Sequence, residues 1–182
     1  MPRCEHCKLP IETDGQQTQC DPCLTLAAQD PPIRLRPLSR SDLELVLAWR
    51  SHPDIYQHFR IQDGPIEWDE HVAWFNSQPT GRYDFIIHYD GRRVGVVSLN
   101  TNNEVGIYIG DFSARGHGVA TGTLNWLCER FASRTLYAEI HEQNSASQRV
   151  FGRCGFRQRR TDGEWLYYQY QPDSSDGSSE PH

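Results

Sequence analysis

The chain is predicted to fold as a mixed α/β (α+β) domain with a small cysteine-rich appendage at its N-terminal end. Three observations point there. Between residues 33 and 170, stretches of two-residue hydrophobic alternation take turns with stretches of helical spacing. A turn with two glycines, Arg115-Gly116-His117-Gly118, joins a strand pattern to a helix pattern. Four of the six cysteines fall within the first 23 residues. The 182 residues amount to one domain of about 150 plus a short remainder. Compositional breaks divide them into 1–30, 31–171 and a Ser/Asp/Gly/Pro-rich tail at 172–182 that reads as disordered.

Residues 33–38 alternate as a strand. Ser39-Arg40-Ser41-Asp42 then resembles a capping box with a short acid in the third place, ahead of a helix whose buried stripe is Leu43, Val46 and Leu47. His52-Pro53 ends that helix, since a residue before proline is pushed out of the helical region. A second helix starts near Pro65 with Trp68, Val72 and Phe75 on one face. Tyr83–Tyr89, the Asp90-Gly91 turn and residues 94–99 read as a hairpin, and residues 104–110 as a third strand. A helix over 118–131 has Ala120, Leu124, Leu127, Cys128 and Phe131 at helical spacing. Leu136–His141 alternates again, Ser145–Arg153 is a short helix, and residues 164–170 close as a strand. The predicted order is βα(α)βββαβαβ.

Composition excludes several classes. With 37% hydrophobic and 11% aromatic residues, most of the chain has the means to build a core. A net charge of -6 opposes general affinity for phosphate backbones or anionic membranes, so nucleic acid is not an expected partner. No apolar run approaches the roughly 18 residues that span a bilayer. The N-terminal stretch has charges and cysteines where a signal peptide needs apolar residues, and the expected location is cytoplasmic. In that reducing compartment, clustered cysteines serve as metal ligands more often than as disulfides. Cys4-Glu5-His6-Cys7 and Cys20-Asp21-Pro22-Cys23, twelve residues apart, each put two thiolates within reach of one tetrahedral ion. That is the pattern of a closed structural zinc site with Cys4, Cys7, Cys20 and Cys23 as ligands. A disulfide pair and an iron centre are the other readings. Such a knuckle also offers a docking surface for a protein partner.

In the turn after residues 105–110, glycines let the backbone approach a ligand and aim N–H groups outward. The helix start adds a positive dipole end, and together these suit a pyrophosphate. Arg115-Gly116-His117-Gly118-Val119-Ala120 resembles the Arg/Gln-x-x-Gly-x-Gly/Ala acyl-CoA signature of the GNAT acetyltransferase superfamily. Asn144-Ser145-Ala146-Ser147, followed by Phe151 and Gly155-Phe156, resembles its second motif, with room for one helix and one strand between the two. The resemblance spans residues 33–170 and implies a mostly antiparallel sheet splayed at the acyl-CoA site. It also implies acetyl-CoA as co-substrate, with the pantetheine arm along the backbone of Ile107, Tyr108 and Ile109. The pyrophosphate would rest on the amides of Arg115, Gly116, His117, Gly118, Val119 and Ala120, with Asn144 and Ser147 bordering the arm. The implied reaction is direct acetyl transfer to a primary amine without a cysteine nucleophile, which leaves Cys128 and Cys154 as packing residues.

An amine nucleophile needs a base to take its proton. Tyr137, Glu139 and His141 share one strand face by alternation. Glu139, five residues before Asn144, stands where some N-terminal protein acetyltransferases of the superfamily carry a catalytic Glu, and is the first candidate. Glu104, at the head of the splayed strand, is the second. Phe151 stands where many members have a Tyr that protonates the departing thiolate. Either Tyr108 or another Tyr takes that role, or the thiolate leaves unprotonated. The stretch Trp49-Arg50-Ser51-His52-Pro53, with Ile66-Glu67-Trp68-Asp69-Glu70-His71 and Leu136-Tyr137-Ala138-Glu139-Ile140, resembles the N-acetyltransferases of pseudaminic acid biosynthesis, which act on a nucleotide-linked 4-amino sugar. The resemblance makes Trp49, Arg50, His52 and His71 acceptor-binding candidates. A protein N-terminus docked through the knuckle is the alternative acceptor, and a non-catalytic acyl-CoA-binding module is a third reading.

Overall fold

A computed structural model of the chain describes residues 2–11, 18–27 and 32–172. The expected boundary at 30/31, and the expected tail from residue 173 onward, lie outside the described residues. The strands are β1 (Ile33–Pro37), β2 (Tyr83–Tyr89), β3 (Arg92–Leu99), β4 (Val105–Ile109), β5 (Leu136–His141), β6 (Arg157–Asp162) and β7 (Trp165–Tyr170). The helices are α1 (Asp21–Ala27), α2 (Leu43–Arg50), α3 (Pro53–Tyr56), α4 (Trp68–Asn76), α5 (Val119–Arg130) and α6 (Ser145–Arg153). The expected mixed α/β architecture is present.

Four local expectations need correction. Pro53 does more than end α2: it opens α3 at the first helical position, where its missing N–H costs nothing, and His52 Nδ1 accepts the Asp54 N–H at 3.2 Å. α4 begins at Trp68 rather than near Pro65, and Trp68 is 42% exposed while His71 is the residue the helix buries. β6 was not anticipated because all six of its positions are exposed, which leaves no alternation to read. α1 begins between Cys20 and Cys23 of the second cysteine pair, in a segment too short and too polar to announce a helix.

Two antiparallel sheets form, in the orders β1-β2-β3-β4 and β5-β7-β6. A single parallel bridge, Glu104 to Tyr137, joins them at the start of β4 and β5. The Tyr137 N–H donates to the Asn103 carbonyl at 2.9 Å at the same point. Beyond this apex the two strands share no ladder, so the sheet splays as the expected fold requires.

One face of the four-stranded sheet presents Phe85, Ile87, Val97, Leu99 and Ile109 to Leu124, Trp126 and Leu127 of α5. The other face presents Ile86 and Val96 to Val46 of α2, with Trp49 and Tyr108 packed alongside. At the start of α2, fully buried Asp42 receives Arg36 at 2.7 Å, Arg93 at 3.1 Å and the Ser39 N–H at 2.9 Å, which pins the helix to β1 and β3. Burial pushes the Asp42 carboxyl upward, but these donors outweigh it and hold the group well below the usual range. The cysteine segment is no satellite, because Cys4, Cys7, Cys20, Cys23, Leu9, Ile11 and Leu26 belong to the same buried cluster as α5.

Candidate active site

β4 leads through Gly110 and a 3-10 turn at Phe112–Ala114 into the 115–118 turn and α5. Trp49 lies against Gly110, where any Cβ would overlap its ring. Gly116 and Gly118 take φ of +79° and +77°, the left-handed region that favours glycine. With the backbone so turned, the N–H groups of residues 116 to 121 find no carbonyl partner among the described residues. Five residues of the signature thus surround a helix terminus whose free amides suit an anion. Arg115 braces the turn instead of reaching outward: its guanidinium donates to the Ile109 carbonyl at 3.1 and 3.3 Å and lies 3.7 Å from the Phe112 ring centroid. Across the splay, Asn144 caps α6 by accepting the Ser147 N–H at 3.1 Å, which gives the Asn-to-Ser spacing a structural reason.

On the side facing α2 and α4, alternation carries Glu104, Gly106 and Tyr108 outward from β4, and Tyr137, Glu139 and His141 outward from β5, opposite buried Leu136, Ala138 and Ile140. A cavity of about 350 Å³ opens there, lined by Glu104, Tyr137, Glu139, Tyr167, Arg159 and Arg160. Glu104 is half-buried and accepts from Asn100 Nδ2 at 3.2 Å. Burial, and then the neighbouring Glu139 charge, push its carboxyl above the ordinary value. Glu139 is paired with Arg60 at 3.0 Å, and the same guanidinium reaches Asp162 at 3.3 Å and the Tyr167 hydroxyl. Arg60 follows Phe59, whose ring meets Tyr108 edge-on at 5.8 Å, so this loop crosses from β4 to the three-stranded sheet. The Tyr108 hydroxyl is buried with no hydrogen-bond partner among the described residues, and burial pushes its pKa far above the usual range. Phe151 is buried against Phe156, with ring centroids 4.9 Å apart.

The acceptor candidates divide. Arg50 is half-buried between the Trp74 and Phe59 rings, at 5.3 and 6.0 Å, and donates to Gln62 Oε1 at 3.3 Å. Trp49 and exposed His52 sit beside the turn into α5, His52 edge-on to Phe112 at 4.8 Å. His71 is not where the resemblance implied: it is fully buried and stacked on Trp74 at 5.4 Å, which removes it from any acceptor. Burial, then the nearby Arg50 charge, lower its pKa and keep it neutral at pH 7.

Sequence reasoning missed Arg60, Asp162, Tyr167, Arg159 and Arg160. Arg60 lies in a loop without periodicity, and its partners Glu139 and Asp162 are 79 and 102 residues away, so no local pattern connects them.

The four N-terminal cysteines converge. Their Sγ atoms all lie within 4.8 Å of one another, and Cys7 and Cys20 are 3.8 Å apart. A tetrahedral ion with metal–sulfur bonds of about 2.3 Å needs sulfurs about 3.8 Å apart, so this donor set can hold a metal. All six cysteines are free of disulfides. Trp126 Nε1 of α5 donates to Cys23 Sγ at 3.2 Å, and Arg130 reaches the Pro10 carbonyl. Burial raises the Cys128 thiol to about 12 and the Cys154 thiol to about 11, so neither is a nucleophile at neutral pH.

This splayed sheet, with a turn of unpaired amides at the head of α5, has the form of an acetyltransferase fold, and comparison agrees. The family model of the GNAT acetyltransferase domain matches residues 33–157. The chain belongs to the GNAT acetyltransferase family, and its domain is an N-acetyltransferase domain. It is 38% identical over 154 residues to the uncharacterized protein MJ1062 of Methanocaldococcus jannaschii, matching 76% of this chain but only 31% of that protein's length. It is 24% identical over 137 residues to Acetyltransferase PseH of Campylobacter jejuni, covering 71% of this chain and 86% of that one. Among solved structures, a domain from Methanocaldococcus jannaschii superposes with a TM-score of 0.70 at 32% identity, covering 75% and 96% of the two chains. Spermidine N-acetyltransferase from Vibrio cholerae, in complex with CoA and spermine, shares the fold with a TM-score of 0.65 at 16% identity over 78% and 94%. No helix among the described residues is long and apolar enough to cross a membrane.

Proposed function

We propose that the chain transfers acetyl from acetyl-CoA to a primary amine on a nucleotide-linked amino sugar, by direct attack. The carrying observation is the cavity at the apex of the splay, where a half-buried carboxyl of raised pKa, Glu104, meets the place the thioester reaches if the pyrophosphate sits on the 116–121 amides. The likeness to PseH and the motif resemblance in α2, α4 and β5 support the amino-sugar acceptor.

In this reading Glu104 takes the ammonium proton and the freed nitrogen attacks the thioester carbonyl. The new C–N bond forms, the C–S bond breaks, CoA leaves as thiolate, a group of pKa near 8.5 that tolerates departure without direct protonation, and the second nitrogen proton then passes to that thiolate or to solvent. Glu139, the first candidate from sequence, is held in an ion pair by Arg60 but its charge still raises the Glu104 pKa, so it serves better as the neighbour that tunes the base than as the base itself. Phe151 has no proton to give the sulfur and the Tyr108 hydroxyl is buried, which favours departure as thiolate.

The four-cysteine centre is read as structural zinc, the ion that four thiolates in a closed tetrahedron suit. It packs on α5, on the opposite face of the sheets from the cavity, which supports a stabilising role over substrate docking.

Incubation with acetyl-CoA and two acceptor pools, nucleotide-linked amino sugars and peptides with free N-termini, tests the acceptor. Mass spectrometry should find acetyl product in the sugar pool. Product confined to peptides would move the assignment to protein N-termini. No product in either pool, with acetyl-CoA still bound, would favour the non-catalytic module.

Gly118→Trp tests the cofactor turn. A Cβ at 118 meets no protein atom within 4 Å, but the φ of +77° strains any side chain there, so the melting temperature is read beside the affinity to separate a blocked turn from an unfolded one. Acetyl-CoA affinity should fall at least about a hundredfold, the order of two lost charge-assisted amide contacts, in isothermal titration. Unchanged affinity would refute the placement.

A further inference from the structure

β6 pairs with β7 through Gln158 to Tyr168 and then Arg160 to Tyr167, so Arg159 is an extra residue in the ladder. A bulge of this kind re-aims side chains and breaks the alternation that would send consecutive residues to opposite faces. The result is that Arg159 and Arg160 line the same cavity as Glu104 and Glu139. Arg159 Nε donates to Gln169 Oε1 at 3.1 Å, and the Arg160 guanidinium stacks on Tyr167 at 3.6 Å. Both arginines are exposed, and neither forms an ion pair among the described residues. Two like charges brought to one face repel, and an anion bound between them would relieve that cost.

We propose that Arg159 and Arg160 form the anion subsite of the acceptor, gripping the diphosphate of a nucleoside-diphosphate-linked amine whose amino group is presented to Glu104. This rests on the amino-sugar reading above and deepens it. The cavity lining combines carboxylates, which suit an ammonium, with two guanidinium groups, which suit phosphate oxygens, and the Tyr137 ring offers stacking surface for a sugar. A peptide N-terminus has no fixed diphosphate and leaves the arginine pair unused. The subsite is also separate from the amides at the head of α5, so cofactor and acceptor phosphates do not compete.

The test uses UDP-N-acetylglucosamine as a dead-end probe, a nucleotide-linked sugar whose amine is already acetylated. Titration into the full chain saturated with CoA should show binding, and Arg159→Gln with Arg160→Gln should weaken it at least about tenfold per arginine removed, the order for a charged hydrogen-bonding partner. Acetyl-CoA affinity and melting temperature should stay unchanged, as both side chains are exposed. No probe binding by the unaltered protein, or equal binding by the double variant, overturns the subsite. The two levels of failure separate in turnover. Acetylated nucleotide-linked sugars with an unchanged acceptor KM in the double variant refute the arginine pair alone, whereas acetylation confined to peptides refutes the acceptor reading beneath it.

Discussion

Glu104→Gln is expected to lower kcat by about 10²–10⁴, the range that a positioned base supplies, while leaving acetyl-CoA affinity unchanged. The substitution keeps shape and removes the proton acceptor. Asn100 already donates to Glu104, so the side chain stays in place and the loss is chemical rather than positional. The pH profile gives a second readout. Because burial and Glu139 raise the Glu104 pKa, kcat/KM should fall as pH drops through that raised value, since the base works only when deprotonated. Glu139→Gln removes the neighbouring negative charge, which lowers the Glu104 pKa and moves this acid limb to lower pH, with a smaller effect on kcat. If Glu139 were the base instead, Glu139→Gln would abolish the limb and Glu104→Gln would leave turnover within about twofold. These opposite outcomes decide between the two carboxylates. Activity unaffected by either would sink the base assignment altogether.

Removing the metal is expected to be the most damaging single change to stability. Apparent binding energies for structural zinc of about 10–16 kcal/mol match or exceed the whole folding free energy of a domain, about 5–15 kcal/mol. Here the four thiols are buried, and Leu9, Ile11 and Leu26 ride with them onto the α5 surface. Losing the ion therefore uncovers Trp126 and its neighbours as well as the cysteines. Protein purified without chelator should hold about one zinc per chain by elemental analysis. Chelation should lower the melting temperature by more than about 10 °C, several kcal/mol at this size, with a shift in tryptophan fluorescence. Cys23→Ala should reproduce this, since it removes one ligand and the acceptor of the Trp126 N–H. Substantially less than one metal per chain, or unchanged melting after the metal is stripped, would falsify the structural role, and iron in place of zinc would correct the ion alone.

Helix α5 connects these expectations. Its first turn carries the unpaired amides proposed for the pyrophosphate, and Trp126 and Arg130 at its other end hold the cysteine segment. Loss of the metal should therefore loosen the rod that presents the cofactor amides.

Much of the architecture was legible in the chain. Strand alternation in 83–99 and 136–141, the helical stripe of α5 and the glycines at 116 and 118 are local patterns, because a two-residue or 3.6-residue period records which side chains face the core. The Cys-x-x-Cys pairs were equally plain, since paired thiols at that spacing suit one ion. Other features had no such record. β6 is exposed at every position, so no hydrophobic period marks it, and the bulge that turns Arg159 and Arg160 to one face appears only through pairing with β7. That Glu139 is ion-paired while Glu104 is not depends on Arg60, 79 residues from Glu139 and brought to it by a loop of irregular sequence. His71 shows the same limit from the other side, a polar residue in an acceptor-like motif that packing against Trp74 withdraws from solvent. Sequence by itself determined most of the elements, the family and the pairing of the four cysteines, whose periods and spacings are local. Tertiary structure alone decided which charges meet at the apex of the splay, because pKa and ion pairing depend on distance in space and on burial, which the order of residues does not state.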